Sequence, residues 1–296
     1  MGNILTKQFY RQRKDFEDSC AGRDAGLTFP EGVICSTDIA YADDGIKAHM
    51  LDIYRPEDSQ EKILPVIINV HGGGLIIGNK EFNRYFCALL CKKGFLVYSI
   101  EYRLIPDCLM YDQISDVFKA MDYIKERLAA DGGDLSHVYM AGDSGGACLI
   151  TYANAIQNST NIARAANVTP SGLRINALGL ISGMFYTSRF DKIGLFLPKY
   201  LYGRDYKKTS FAKYVNPENR ELLKSLAPVW LVTSHNDFLR RYTTDFEKAL
   251  TRAEIEHELV AFPKNKKLTH AFSVFEPFLP ESSEVIDMMV EYFRKF

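Results

Sequence analysis

A serine flanked by glycines can act as a nucleophile if a backbone turn lifts it clear of its neighbours, and Gly142-Asp143-Ser144-Gly145-Gly146 has the residue types for such a turn. The pentapeptide fits G-x-S-x-G. Its surroundings supply the context the chemistry needs, because the β-rich run Val138 to Ala141 leads into it and Ala147 to Ile156 reads as the helix that follows. Small residues at Gly142 and Gly146 let the backbone pass closely through a strained bend, raising Ser144 over a sheet at the positive end of a helix. A hydroxyl so placed suits attack on a carbonyl carbon, provided that a base takes its proton and a third group holds the base in one tautomer.

Six histidines compete for the role of base. His49, His137 and His257 fall within or at the start of predicted strands, and His235 is crowded against a strand end, where it remains the main rival. His270 lies in the loop after the last predicted strand, the place that the chain order serine, acid, histidine requires. Ser234-His235-Asn236-Asp237 leaves a predicted strand for a loop, which puts Asp237 at the carboxyl edge of a sheet and makes it the candidate acid. A plain helix N-cap is the alternative role for Asp237. Asp245 falls a turn or two into the next helix, and Asp143 reads as a structural hydrogen-bonding residue.

His71-Gly72-Gly73-Gly74 follows another apolar strand, and its run of glycines frees several amides to converge on developing negative charge. The Gly73, Gly74 and Gly145 amides are the candidate oxyanion donors, with His71 bracing the loop. A merely flexible turn is the alternative.

These loops need a frame. Beyond the first thirty or so residues, short β-rich runs alternate with longer amphipathic ones, the pattern of an α/β protein with a mainly parallel sheet and crossover helices. Strands are predicted over 34–41, 47–54, 64–70, 95–102, 138–141, 175–182, 229–234 and 257–262, the first two joined by a turn at Asp43-Asp44-Gly45. Helices are predicted at 81–92, 111–129, 147–156, 243–253 and 283–296. An insertion at about 184–226 is rich in aromatic residues outside any strand pattern and suits a helical lid. The organisation is thus an N-terminal cap segment, 1–32, with a helix from Ile4 to Ser19, and a catalytic domain, 33–296, that carries the insertion.

Whole-chain properties narrow the partners. At 296 residues, with 36 basic against 37 acidic side chains, the chain has a formal charge of −1 and no global field for nucleic acid or an anionic membrane, so a compact neutral substrate fits best. Neither a membrane-spanning run nor a signal peptide is evident, and membrane insertion is not expected. Met1-Gly2-Asn3-Ile4-Leu5-Thr6 matches the short N-myristoylation pattern. The six cysteines, Cys20, Cys35, Cys87, Cys91, Cys108 and Cys148, lack metal-ligand spacing and read as free thiols of a cytoplasmic protein. Lys264, Lys266 and Lys267 read as a solvated loop tip, and an exposed edge strand could pair two copies.

Together, His71-Gly72-Gly73-Gly74, Glu101-Tyr102-Arg103-Leu104-Ile105-Pro106 and Gly142-Asp143-Ser144-Gly145-Gly146 resemble the hormone-sensitive-lipase family of α/β-hydrolases, over roughly Ile34 to Phe296. The resemblance implies an eight-stranded sheet, a cap built from the N-terminus and the insertion, no cofactor or metal, and hydrolysis of short-chain acyl esters through an acyl-enzyme. Ser144, Asp237 and His270 match its triad, and Gly73, Gly74 and Gly145 its oxyanion donors. Four positions depart from the family pattern: Gly145 and Ala147, since Gly145-Gly146-Ala147 stands for Ala-Gly-Gly, Leu75 in place of an aromatic, and Ala271 in place of a glycine. Amide or formamide hydrolysis by the same triad, or a non-catalytic receptor on the same scaffold, are the alternative functions.

Overall fold

Leu64–Val70 shows how the sequence builds its sheet. Val66, Ile68 and Val70 enter one apolar cluster while Ile67 enters another, the period-two alternation of a strand covered on both faces. The computed structural model describes residues 4–59 and 62–296; Gly2, the candidate acylation site, lies outside them.

The eight strands are β1 (Val33–Ala40), β2 (Met50–Pro56), β3 (Leu64–Val70), β4 (Leu96–Ile100), β5 (Gly133–Asp143), β6 (Ala177–Ile181), β7 (Val229–Ser234) and β8 (His257–Phe262). They form one sheet in the order β1-β2-β4-β3-β5-β6-β7-β8. The β1–β2 and β2–β4 pairs are antiparallel and the rest parallel. The chain opens with α1 (Ile4–Asp24), and the crossovers carry α2 (Arg84–Lys92), α3 (Met110–Arg127), α4 (Ser144–Asn158) and α5 (Thr160–Ala166). Between β6 and β7 lie α6 (Lys192–Phe196), α7 (Pro198–Leu201) and α8 (Arg220–Lys224), followed by α9 (Arg240–Arg252), α10 (Phe272–Phe275) and α11 (Pro280–Phe293).

Two apolar layers hold these elements. Phe118 of α3, Leu149 and Tyr152 of α4 and Phe246 of α9 pack on one face of the sheet; Phe86 of α2 and Val285, Met289 and Phe293 of α11 pack on the other with Tyr139 and Trp230. The segment from β6 to β7 buries part of its aromatic set: Phe211 meets Tyr111 at 5.2 Å and Tyr152 at 5.8 Å between ring centroids. α1 joins this segment through Phe9 and Tyr200, 5.2 Å apart and edge to face. No helix of the described residues is long and apolar enough to cross a membrane.

Several elements differ from the sequence expectations. The β1–β2 link closes as a longer loop, with the Tyr41 amide donating to the His49 carbonyl at 3.0 Å, instead of a tight turn at Asp43-Asp44-Gly45. β5 begins at Gly133, five residues before the predicted start, because its first half is largely exposed and polar. α5 was not expected; Ser159 caps it by accepting from the Ile162 amide, and Asn167 ends it in a left-handed conformation.

Candidate active site

β5 runs extended through Asp143, and the chain turns into α4 at Ser144, whose φ of +49° lies in the left-handed region. That conformation costs an L-residue about 1–2 kcal/mol, so the surrounding structure must hold it. The bend passes within touching distance of β3: a β-carbon on Gly146 would sit 2.1 Å from the Val70 carbonyl oxygen, which no side chain tolerates. Asp143 braces the turn from inside. Its Oδ1 accepts from the Gly72 amide and from Asn83 Nδ2, both at 2.9 Å, and burial pushes its carboxyl above the usual range.

The loop after β3 is fixed by bonds at both ends. The Gly72 amide donates to Asp143, while those of Ile76 and Ile77 donate to the Gly73 carbonyl. The Leu75 carbonyl accepts from the Ile105 amide and from Gln113 Nε2, each at 3.0 Å. Neither set engages the Gly73 and Gly74 amides, and the Gly145 amide is in the first turn of α4, where helical geometry gives it no partner. The departure at Gly145 has a local reason, since a β-carbon there would lie 2.8 Å from the Leu75 nitrogen and 2.9 Å from that of Gly74. The loop sits too close for the alanine that the family pattern places at this position.

His71 braces this loop. Buried, it directs Nδ1 to the Gly72 carbonyl at 2.8 Å and Nε2 to Glu101 at 3.0 Å, and its ring stacks on Tyr102 with 4.3 Å between centroids. Burial disfavours the charged ring, but the charge and hydrogen bond of Glu101 and the Gly72 carbonyl outweigh it, and the imidazole titrates above its ordinary range. Tyr102 completes the brace by donating its hydroxyl to the His71 carbonyl at 2.8 Å.

Asp237 and His270 meet. Nδ1 of His270 lies 2.7 Å from Asp237 Oδ1, which also accepts from the Leu239 amide at 2.8 Å, while Oδ2 accepts from the Thr233 hydroxyl at 2.9 Å. Burial raises the Asp237 carboxyl, but its contacts with His270, Leu239 and the Ser182 hydroxyl prevail and hold it below the usual value of 3.8. Asp237 is thus the imidazole partner and not the cap of α9, whose N-cap position is Leu239. Its rival Asp245 pairs with Arg189 at 2.9 Å.

The end of β6 ties these loops to the serine. The Met184 amide donates to the Ser144 carbonyl at 2.9 Å, and Ser182 Oγ accepts from the Ala271 amide at 3.1 Å. Ser144, Ser182 and Asp237 thus follow neighbouring strands, and His270 follows β8 at the edge. Ala271 takes the left-handed conformation, φ +49°, that a glycine would adopt without strain.

The other histidines are placed elsewhere. His235 is exposed against Arg240, His137 pairs with Asp134, and His257 bonds the Ile255 carbonyl. His49 is not in a strand: it sits in the loop before β2, buried between Asp44 and Asp116.

Three residues of the site escaped the sequence reading. Ser182 looked like the last residue of a strand, and only the sheet order puts its hydroxyl between Asp237 and Ala271. Phe238 lies against the His270 ring, 4.3 Å between centroids, although 73% exposed; an aromatic directly after a candidate acid was the available signal. Arg13 of α1 reaches the carbonyls of Ile76 at 2.7 Å and Ile105 at 2.6 Å and pairs with Asp107, so the N-terminal helix grips the glycine loop. Nothing local in the sequence signals that contact.

A serine at a strand-to-helix turn, an imidazole held by a carboxylate and amides left out of the loop's own bonds are the groups that acyl transfer uses. A family model described as alpha/beta hydrolase fold matches residues 67–273. The chain is 27% identical over 208 residues, 69% of its length and 49% of the relative's, to a probable isoprenylcysteine alpha-carbonyl methylesterase of Oryza sativa subsp. japonica. A second probable methylesterase of that description, from Arabidopsis thaliana, is 25% identical over 257 residues, 83% of this chain and 60% of the relative. The chain therefore spans about half to three fifths of these relatives. Among solved structures, esterase B of Lactobacillus Rhamnosis superimposes with a TM-score of 0.91 at 24% identity, covering 98% of this chain and 94% of that one.

Proposed function

We propose, from the premise that the chain belongs to the alpha/beta hydrolase fold family, that it is a serine esterase acting on short-chain carboxylic esters. The observation that carries the proposal is the 2.7 Å contact of His270 with Asp237, on the sheet edge where Ser144 is held at φ +49°. Ser144 Oγ attacks the ester carbonyl as His270 Nε2 takes its proton, and the carbonyl electron pair moves onto oxygen, facing the amides of Gly73, Gly74 and Gly145. The intermediate collapses, the alcohol leaves with the proton from His270, and Ser144 remains acylated. Water, deprotonated by the same imidazole, then releases the carboxylic acid and restores the hydroxyl.

The names of similar proteins support this choice of substrate: methylesterases among the relatives, and a structure of esterase B inhibited by a tributyrin phosphonate. In this reading, α1 and the insertion at about 184–226 cap a pocket above the sheet and restrict the acyl chain. Six free cysteines support a reducing, cytoplasmic setting. A butyryl phosphonate is expected to label a single peptide, that containing Ser144, and acetate and butyrate esters of nitrophenol are expected to turn over faster than the decanoate. Absence of the adduct together with turnover no faster than buffer would remove the proposal.

The grip of Arg13 on the Ile76 and Ile105 carbonyls predicts a second result. Charge-assisted bonds of this kind each contribute about 1.5–3 kcal/mol, and a loosened loop misplaces the oxyanion donors. Arg13→Ala is expected to lower kcat on a butyrate ester by about tenfold with a small change in KM, and Arg13→Lys to restore part of it. Equal kcat in wild type and Arg13→Ala would separate α1 from the site.

A further inference from the structure

The formal charge of −1 conceals a segregation. Residues 4–14 carry four basic side chains and no acidic one, and residues 185–213 carry seven basic and two acidic, so the rest of the chain is strongly acidic. The two segments are joined by the contact of Phe9 with Tyr200. On α1, Phe9, Arg13, Phe16 and Cys20 face inward, against Tyr200, the Ile76 carbonyl, Phe82 and the core. At 100° per residue, Lys7 and Lys14 point the opposite way, and both are exposed.

Arg13, Arg189 and Lys208 are engaged with Asp107, Asp245 and Asp205. By contrast, Lys7, Lys14, Lys192, Lys199, Arg204 and Lys207 make no ion pair among the described residues. Large apolar side chains stand exposed in the same segment: Phe190 at 91%, Leu195 at 56% and Phe196 at 53%. The neighbours of Phe190, Arg189 and Asp191, are tied to Asp245 and Tyr242 of α9.

We infer that this basic, aromatic face, formed by the α6–α7 segment with residues 4–14 of α1 beside it, adsorbs to an anionic lipid surface without spanning it. Lysines supply attraction to the headgroups, while Phe190, Leu195 and Phe196 supply apolar area that enters the interface. Charge complementarity alone would also admit nucleic acid. The exposed Leu195 decides against it, because an aliphatic side chain neither stacks on a base nor contacts a phosphate. The acidic remainder of the chain is repelled by the same surface and so orients the molecule.

The test is co-sedimentation of the full chain with vesicles of phosphatidylcholine, with and without roughly a third phosphatidylserine. Partition into the anionic vesicles is expected to exceed that into neutral ones by at least about tenfold and to vanish near 0.5 M salt, since each surface lysine contributes about fivefold. Lys192→Glu with Lys199→Glu is expected to lower partition on the order of 10- to 100-fold, and Leu195→Ser with Phe196→Ser about tenfold, at unchanged melting temperatures. Ser144→Ala is expected to partition like wild type, so this inference stands or falls apart from the esterase proposal. Equal partition into both vesicle types, indifference to the paired substitutions, or tighter binding of a single-stranded oligonucleotide than of anionic vesicles overturns it.

Discussion

Ser144→Ala protein is expected to lose at least about a thousandfold in kcat on a butyrate ester while keeping its melting temperature. The two halves of this result have separate causes. Activity goes because no other group at the elbow can form the acyl bond: the neighbouring carboxylate Asp143 is committed to the Gly72 amide and Asn83 and is buried. Stability remains because the serine is held through its backbone, the carbonyl accepting from Met184 and the turn being braced by Asp143. Ser144→Gly sharpens the point. It is equally inactive, yet relief of the φ of +49° is expected to stabilise it by about 1 kcal/mol. Retention of more than about a tenth of wild-type kcat by either variant, measured against a buffer blank, would exclude Ser144 as the nucleophile.

The elbow was legible in the sequence because its signal is local: a strand, a glycine-flanked serine and a helix within about twenty residues. The strands β3, β7 and β8 were read to their observed limits, since each is a β-rich run bounded by turn residues. β5 was read short because periodicity reports burial rather than pairing; Gly133 pairs with Leu64 although the residues after it are largely exposed. α4 was read three residues late for a related reason. Ser144, Gly145 and Gly146 are poor helix formers, and packing against β3 and the glycine loop, not propensity, makes them helical. The short helices between β6 and β7 had no periodic signal long enough to read, and their aromatic side chains pack on one another and on Tyr111 of α3 and Tyr152 of α4.

Site residues divide along the same line. Asp237 and His270 were assigned by chain order and by their positions after strands, which the fold turns into proximity. Ser182, Phe238 and Arg13 act across elements far apart in the sequence, and their contacts exist only once β6 lies between β5 and β7 and α1 folds back over the glycine loop. The exclusion of His235 needed structure too. It shares a loop with Asp237, but its ring is exposed against Arg240 while His270 comes in from β8.

Asp237→Asn tests the acid by charge alone. Oδ1 accepts from the Leu239 amide, a fixed donor, beside His270 Nδ1, so the asparagine carbonyl must take that place and its NH2 group must turn toward the hydroxyls of Thr233 and Ser182, which can accept. The imidazole tautomer is thereby kept, and what disappears is the negative charge that steadies the imidazolium during proton transfer. The expected loss in kcat is about 10²–10³-fold, with Asp237→Ala, which frees the ring, near 10⁴-fold. Stability gives an independent reading. The native carboxyl is held below 3.8, so it contributes stability that is present above that pH and is lost as the pH falls through the depressed native value. Wild type should therefore exceed Asp237→Asn in unfolding free energy at neutral pH, and denaturant titrations should show the gap closing below about pH 4. A gap that widens on acidification, or a kcat within threefold of wild type, would mean that His270 is oriented by something other than this carboxylate.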